Sequence, residues 1–380
     1  MAQFKNFLKK IIFFIIALCV GGFVGYWVGG LIKSNMIYIP SNFIWVLFLL
    51  ILPIYLLAIA VHEAGHALAG VSQNFDFTMY LVGPFMFEKG DGKWSFKWNK
   101  GFNLSGGLVL CLPKDTVNIV NRFIIFVLGG PLTSLIAALG SFGIYLLIGG
   151  SNEGKGYFVN ALSLSLLLFT ALSFIVFLMT IIPVNANGFH TDGARFLRLV
   201  KGGTTGKLES LILTIISKVM GGIRPKNYDT NEIVEAKQLA NELKDSYEVY
   251  LDGFLFHNYF DIGELEAAEI CLNTYLANIE KMPDGFRGTL WIEASFFYAF
   301  AKNDLDKAKY YYHQYKPSPL VPKAQVLAAE AAILRLEGKE SEMLTKIDQS
   351  LALNGSMLDK GLAIAMKERL ELMKFQTLEQ

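Results

Sequence analysis

Cysteine and charge are both scarce in this chain. Its 380 residues include three cysteines, Cys19, Cys111 and Cys271, which are widely separated. They can form neither a disulfide framework nor a zinc site made of thiolates. Charged residues make up only 18% of the sequence and the formal net charge is +1. Because there is no basic block and no basic excess, we expect no nucleic-acid partner.

Long apolar segments are abundant, and hydrophobic residues make up 53% of the sequence. Four segments are long enough to cross a hydrocarbon core of about 30 Å: Ile11 to Ile32, Phe43 to Val71, Val120 to Ile148 and Phe158 to Val184. The first resembles a signal peptide, but its apolar run is too long and lacks a clear cleavage site, so we interpret it as a retained anchor. The sequence therefore predicts a multi-pass membrane protein with a soluble part.

The distribution of lysine predicts the orientation of these spans. Basic residues are frequent before residue 11, between residues 89 and 114, and after residue 200, whereas the loops at 33–40 and 149–156 carry one lysine each. Positively charged loops stay in the cytoplasm, so both termini are expected to be cytoplasmic. The second span then ends near the cytoplasmic surface, where water can reach it.

That second span ends in the sequence His62-Glu63-Ala-Gly-His66. On a helix the two histidines lie one turn apart on the same face, which allows both imidazoles to bind one zinc ion with Glu63 beside it. The alternative is a chance polar cluster at a helix end. An unpaired carboxylate inside a membrane helix costs about 2.5–3.5 kcal/mol on insertion scales, so Glu63 needs a partner or a hydrated cavity.

A zinc hydrolase needs a third protein ligand and an open coordination position. Two candidates, His190 and Asp192, follow the fourth span, where Asn185, Asn187 and nearby glycines favour a break in the helix. From the local sequence, Asp192 is equally well explained as the N-cap of the next helix.

The chain has H-E-x-x-H in an early span and Asp192-Gly193 where a later span ends. In this combination it resembles the site-2 protease family of intramembrane zinc metalloproteases. The resemblance covers residues 43–200 and includes the Gly129–Ser134 run, which is similar to the family's Gly-Pro element. It implies that His62, His66 and Asp192 bind one Zn²⁺ and that Glu63 is the general base. It also implies a bacterial cell membrane and a membrane-embedded protein or peptide as substrate, cleaved near the cytoplasmic face.

The chain departs from the family pattern in two places. Family members commonly place an asparagine and closely spaced prolines just before Asp-Gly, whereas here Pro183 lies nine positions before Asp192. Ser134 stands where many members have asparagine. Zinc binding is compatible with both differences, but the residue that contacts the substrate backbone, Asn185 or Asn187, stays open.

Between the second and third spans, residues 77–112 predict one or two β-hairpins. A Gly83-Pro84 turn separates two short apolar runs, and Lys93–Trp98 alternates polar and aromatic residues. Family members have a membrane-associated sheet here. A free strand edge could pair with an unwound substrate segment. We favour the simpler alternative of an interfacial hairpin anchored by Trp94 and Trp98.

The remainder of the chain predicts helices. Residues 201–228 contain an amphipathic helix, which lies on the membrane or packs on the core, and a linker. Residues 229–380 resemble a tetratricopeptide-like repeat region, because turn sequences at Gly263, Asn303 and Gly338 recur near the expected 34-residue interval. Such a region could bind a cytoplasmic protein partner. The tyrosines between 310 and 315 are either groove residues or part of its core.

The expected fold is thus mainly α: an N-terminal anchor span and loop in residues 1–42, a transmembrane core in 43–200 with a β-hairpin insert, and a soluble helical-repeat domain. Two functions are compatible with it. The first is an intramembrane zinc metalloendopeptidase. The second is a non-catalytic membrane scaffold with a structural metal site, whose helical tail recruits partners. The presence of Glu63 favours the protease, because a structural site does not need that carboxylate.

Overall fold

A computed structural model of the protein describes residues 26, 30, 38–40, 43–90, 92–99, 106–186, 189–282, 284–318 and 320–378. These residues are mostly helical. They form thirteen α-helices, a four-stranded antiparallel sheet and a two-residue hairpin. The prediction of a mainly α chain with a small β region is confirmed.

Three helices in the described part of the chain are long and apolar enough to cross a membrane: α1 (Phe43–Ser72), α2 (Ile119–Leu147) and α3 (Tyr157–Ile181). They match the second, third and fourth predicted spans. Helix α3 ends three residues earlier than predicted because Pro183 disfavours helical backbone in the residue before it. The first predicted span falls almost wholly outside the described residues. The three helices are consistent with a membrane protein.

The sheet lies between α1 and α2 in the sequence. Its strands are β1 (Phe75–Val82), β2 (Phe85–Gly90), β3 (Lys93–Trp98) and β4 (Gly107–Pro113), in the order β3-β2-β1-β4. The predicted Gly83-Pro84 turn joins β1 to β2, and β4 returns to pair with β1. Within the described residues, β3 and β4 are therefore the two edge strands.

The two faces of this sheet have different neighbours. On one face, Met79, Leu81 and Met86 pack with Leu358 from the C-terminal part of the chain. On the other, β1 and β4 contribute apolar side chains to a cluster that includes Phe123 and Phe126 of α2. The β2–β3 hairpin carries a row of exposed aromatic side chains: Phe85, Phe87, Trp94, Phe96 and Trp98.

Backbone contacts divide the chain into two compact units. One comprises the described residues up to 58 together with residues 135–175, in which the Ser141 and Thr170 hydroxyls hydrogen-bond at 2.7 Å and join α2 to α3. The other comprises residues 59–134 and 176–380. In this second unit α1 and α2 cross with almost no space between them, because a Cβ on Gly65 would lie 2.4 Å from the Gly129 carbonyl oxygen.

After α3 the chain forms a tight connection. Strands β5 (Asn185–Ala186) and β6 (Phe189–His190) are two residues long each and pair as an antiparallel hairpin. Helices α4 (Asp192–Lys201) and α5 (Gly203–Met220) follow. The apolar face of α5 packs into a helical core with α6 (Thr230–Leu243) and α7 (Tyr247–Ile262), burying Leu208, Ile212 and Ile215. Of the two predicted positions for this helix, the structure shows packing on a protein core.

The remaining helices follow as α8 (Leu265–Ala277), α9 (Asp284–Phe300), α10 (Leu305–Gln314), α11 (Lys323–Leu336), α12 (Glu340–Asn354) and α13 (Lys360–Leu378). The three predicted turns lie between helices, and each contains a residue with positive φ: Gly263 at 92°, Asn303 at 50° and Gly338 at 72°. Tyr311 stacks on Trp291 and Tyr298, whereas Tyr310 is exposed. The helical character is confirmed, and the tetratricopeptide assignment stays a prediction.

Candidate metal centre

Two elements of the second compact unit bring His62, His66 and Asp192 together. The histidines lie one turn apart on α1, and Asp192 is the first residue of α4. Asp192 Oδ2 lies 3.4 Å from His62 Nε2 and 3.3 Å from His66 Nε2. The possible ligand atoms all lie within 4.8 Å of one another, and both histidines are buried. This group could hold a metal ion.

The second nitrogen of each imidazole has its own partner. His66 Nδ1 lies 2.8 Å from the Phe126 carbonyl oxygen, which can only accept a hydrogen bond, so Nδ1 carries the proton. In the neutral ring, Nε2 then directs a lone pair towards Asp192. His62 Nδ1 lies 2.9 Å from the Ser134 hydroxyl, which is completely buried. Second partners of this kind orient the imidazoles that bind metals.

The arrangement of these three atoms favours a cation or an additional proton between them. The lone pair on His66 Nε2 and the Asp192 carboxylate oxygen repel each other unless a cation or an additional proton lies between them. Burial would raise the pKa of the Asp192 carboxyl, but the two adjacent imidazoles outweigh burial and lower it to about 2. Asp192 is therefore ionised at neutral pH, as a metal ligand must be.

The position of Asp192 depends on its two neighbours. The Thr191 hydroxyl caps α4 by accepting from Ala194 N–H, and it donates to the Ile182 carbonyl oxygen at 2.8 Å. Gly193 packs directly against the end of α3, where an added Cβ would lie only 1.8 Å from the Ile181 carbonyl oxygen. Asp192 thus follows an N-cap and precedes a glycine that no other residue can replace without displacing backbone.

We expect Gly193→Ala to move Asp192 and to destabilise the fold. Overpacking typically costs about 1–3 kcal/mol, and a clash with backbone belongs at the upper end of that range. Gly140→Ala on α2 is the matched control, because an added Cβ there has no neighbour within 4 Å. Thermal unfolding in detergent measures the effect. Equal unfolding temperatures for both variants would contradict the close packing of Gly193.

The two glycines of the Gly129-Gly130-Pro131 sequence lie where a larger side chain would clash. Gly129 lies at the crossing of α1 and α2, and Gly130 faces the metal group, where an added Cβ would lie 2.3 Å from His66 Nε2. Ser134 lies one turn further along α2 and reaches His62. One face of α2 therefore supports both imidazoles.

Glu63 lies on the same helix and is 8% exposed. Its carboxylate packs against β4, where a Cβ on Gly107 would lie 2.4 Å from Glu63 Oε1. The Tyr80 hydroxyl on β1 donates to the Ala60 carbonyl oxygen at 2.5 Å and ties the sheet to α1. Burial and the nearby Glu63 charge raise the pKa of Tyr80 to about 12, so its hydroxyl stays protonated at neutral pH.

His190, the other candidate for a third ligand, lies in a different environment. Its Nε2 is 3.5 Å from Asp245 Oδ2, in the turn between α6 and α7. Burial would raise the pKa of Asp245, but His190, the Tyr247 backbone N–H and the Arg198 charge lower it to about 2. The structure brings Asp192 to the histidine pair and His190 to Asp245. The side chain of Asn185 and all of Asn187 lie outside the described parts.

Sequence reasoning did not assign roles to Ser134, Phe126 or Asp245. Ser134 follows Gly130 by four residues, so helical spacing was an available signal. Phe126 contributes a backbone carbonyl, which leaves no trace in the side-chain sequence. Asp245 lies 53 positions after Asp192, and only the packing of the helices brings it close.

Comparison of the chain with protein-family models, with curated proteins and with solved structures found no match.

Proposed function

We propose that this protein is an intramembrane zinc metalloprotease of the site-2 protease type. The observation that carries the proposal is the convergence of His62 Nε2, His66 Nε2 and Asp192 Oδ2, with Glu63 on the same helix turn. This group lies in a helix whose length and hydropathy suit a membrane span. Its residues are those that the sequence resemblance implies.

The donor set suits zinc. Two imidazole nitrogens and one carboxylate oxygen are a common set of protein ligands in catalytic zinc sites, which keep a fourth position open. Structural zinc sites have four protein ligands, whereas the described residues provide a three-residue group here. The ligand count therefore favours catalysis over the alternative of a scaffold with a structural metal.

The metal ion and the protein side chains would have different roles in peptide hydrolysis. Bound zinc would supply Lewis acidity, which activates water and polarises a peptide carbonyl. Glu63 accepts a proton from the attacking water and returns it to the leaving amine. Its burial against Gly107 restricts its rotamers, and hydrogen bonds to Ser134 and the Phe126 carbonyl hold the two imidazoles.

The sheet provides the approach to this site. In the part of the chain that the structure describes, β4 is an edge strand, and its Gly107 lies against Glu63. An unwound substrate segment could pair with such an edge and present its backbone near the metal. The exposed Trp94 and Trp98 on β3 favour anchoring of the hairpin at the membrane interface, where Trp and Tyr side chains concentrate. The substrate is a membrane-embedded protein or peptide.

The orientation of the chain in the membrane follows from the charge distribution. By the positive-inside rule, both termini lie in the cytoplasm and cleavage takes place near the cytoplasmic face. The bacterial cell membrane is what the resemblance to the family implies. The C-terminal helices could bind a cytoplasmic protein.

Metal analysis of the purified full-length protein, combined with a cleavage assay in liposomes, tests the proposal. We expect one zinc ion per chain and cleavage of transmembrane peptides that a zinc chelator stops and added zinc restores. Protein without zinc, or cleavage that a chelator does not affect, would contradict the assignment. Stoichiometric zinc without cleavage of any transmembrane peptide tested would favour the scaffold.

A further inference from the structure

A buried charge network lies next to Asp192 and joins α4 to α5 and to the C-terminal helices. Arg198 of α4 approaches Asp245 at 2.8 Å and Glu209 of α5 at 2.5 Å. The Tyr247 hydroxyl lies 3.3 Å from Glu209 and 3.3 Å from Arg195, which is also on α4. Glu209 is 1% exposed and the Asp245 side chain 4%. These contacts are not part of the metal group.

Asp245 contacts two side chains that lie before and after Asp192 in the sequence. His190, two residues before the ligand, contacts Asp245 Oδ2 at 3.5 Å, and Arg198, six residues after it, contacts the same oxygen. The other carboxylate oxygen of Asp245 accepts the Tyr247 backbone N–H at 3.1 Å, which fixes its orientation. One carboxylate from the α6–α7 turn therefore holds the segment on either side of a metal ligand.

This connection matters because α4 is short. A helix of ten residues is marginal by itself, so its position depends on tertiary contacts. Arg195 follows Asp192 by three residues and Arg198 follows Arg195 by three, so each successive pair of these side chains is adjacent on the surface of α4. Their contacts fix the rotation of α4 about its axis, and that rotation decides where the Asp192 carboxylate points.

We propose that Asp245 is a positioning residue for the metal centre. Through Arg198 and His190 it holds α4 in the orientation that directs Asp192 at the two imidazoles. The C-terminal helical region thereby supports the metal site from outside it. This inference rests on the proposed function only in requiring that the group binds a metal.

The test compares two buried aspartates in the full-length protein in detergent. Asp245→Asn keeps the size of the side chain but removes its charge. Asp252→Asn is the matched control, because Asp252 is 1% exposed and pairs with Lys237 at 2.6 Å. Zinc affinity is measured by competition with a chelator, and the visible absorption of bound Co²⁺ reports the ligand geometry. Thermal unfolding of both variants is recorded alongside.

We expect Asp245→Asn to weaken zinc binding about tenfold, at the lower end of the 10–100-fold typical of outer-shell partners, and to change the Co²⁺ spectrum. Asp252→Asn should lower the unfolding temperature without changing either metal measurement. If Asp245→Asn does not fold, Arg198→Lys replaces it, because lysine keeps the charge but cannot contact Asp245 and Glu209 together; the same metal effects are expected.

Two results would overturn the inference while leaving the proposed function intact: wild-type zinc affinity and Co²⁺ spectrum in the Asp245 variant, or an equal loss of zinc in both variants. A wild-type protein that binds no divalent metal would overturn both together. Zinc binding that depends on Asp245, without any proteolysis, would refute the proposed function alone.

Discussion

Replacing Glu63 with glutamine is expected to stop peptide hydrolysis while one zinc ion stays bound. Glutamine has nearly the same shape as glutamate, so it can occupy the same space against Gly107. It cannot accept a proton from water or return one to the leaving amine. General acid–base catalysis contributes about 10²–10⁴-fold to rates, and we expect a loss of at least that size. Cleavage of a transmembrane peptide in liposomes and the zinc content of the same preparation are the two measurements.

The matched control for this experiment is Glu330→Gln in α11. Glu330 is a partly buried helical carboxylate that accepts a hydrogen bond from Tyr312 and forms an ion pair with Lys346, each at 2.6 Å. It is not part of the metal group, so its loss should leave the cleavage rate unchanged. Full activity in Glu63→Gln would remove Glu63 from the role of general base. Loss of zinc in that variant would instead show that Glu63 supports metal binding.

Asp192→Asn is expected to lose zinc and activity together, in contrast to Glu63→Gln. The Asp192 carboxylate faces both Nε2 atoms at 3.3–3.4 Å, and a neutral amide in its place is a much weaker ligand. Because outer-shell partners already change affinity by 10–100-fold, loss of a direct ligand should weaken zinc binding by more than about 100-fold. Chelator competition measures this change directly.

Asp348→Asn is the control for the change of charge, because Asp348 pairs with Lys374 at 2.7 Å on α12 and should leave zinc affinity unaltered. His190→Ala decides between the two candidates for the third ligand. If zinc remains in Asp192→Asn and is lost in His190→Ala, then His190 is the ligand and the geometry described for Asp192 is not the one that binds metal.

The local features of this protein could be predicted from sequence because they depend on short-range periodicity. Apolar runs of helical length located α1, α2 and α3, and the interval of four residues placed His62 and His66 on one face. Proline and glycine marked the turn at Gly83-Pro84, and the asparagines and glycines after Pro183 indicated a helix break close to the end of α3. The breaks at Gly263, Asn303 and Gly338 also follow from local conformation, since each residue has positive φ.

Contacts between distant segments could not be predicted in this way. The alternation of polar and aromatic residues identified β3 as a strand, but not that β4 pairs with β1 at the opposite edge of the sheet. The amphipathic pattern of α5 fitted a membrane surface as well as a protein core. Its burial with Ile233 and Leu251 decides between them, and that depends on how α6 and α7 fold back.

The sequence by itself determined the type of protein, an apolar helical chain with a zinc-type motif at the end of one helix, because hydropathy and helical spacing are properties of neighbouring residues. Only the tertiary structure decided that Asp192 faces the imidazoles and His190 faces Asp245. These two side chains are separated by a single residue, so no local pattern distinguishes them. The difference arises from the rotation of α4, which Thr191, Gly193 and Arg198 fix through contacts with segments elsewhere in the chain.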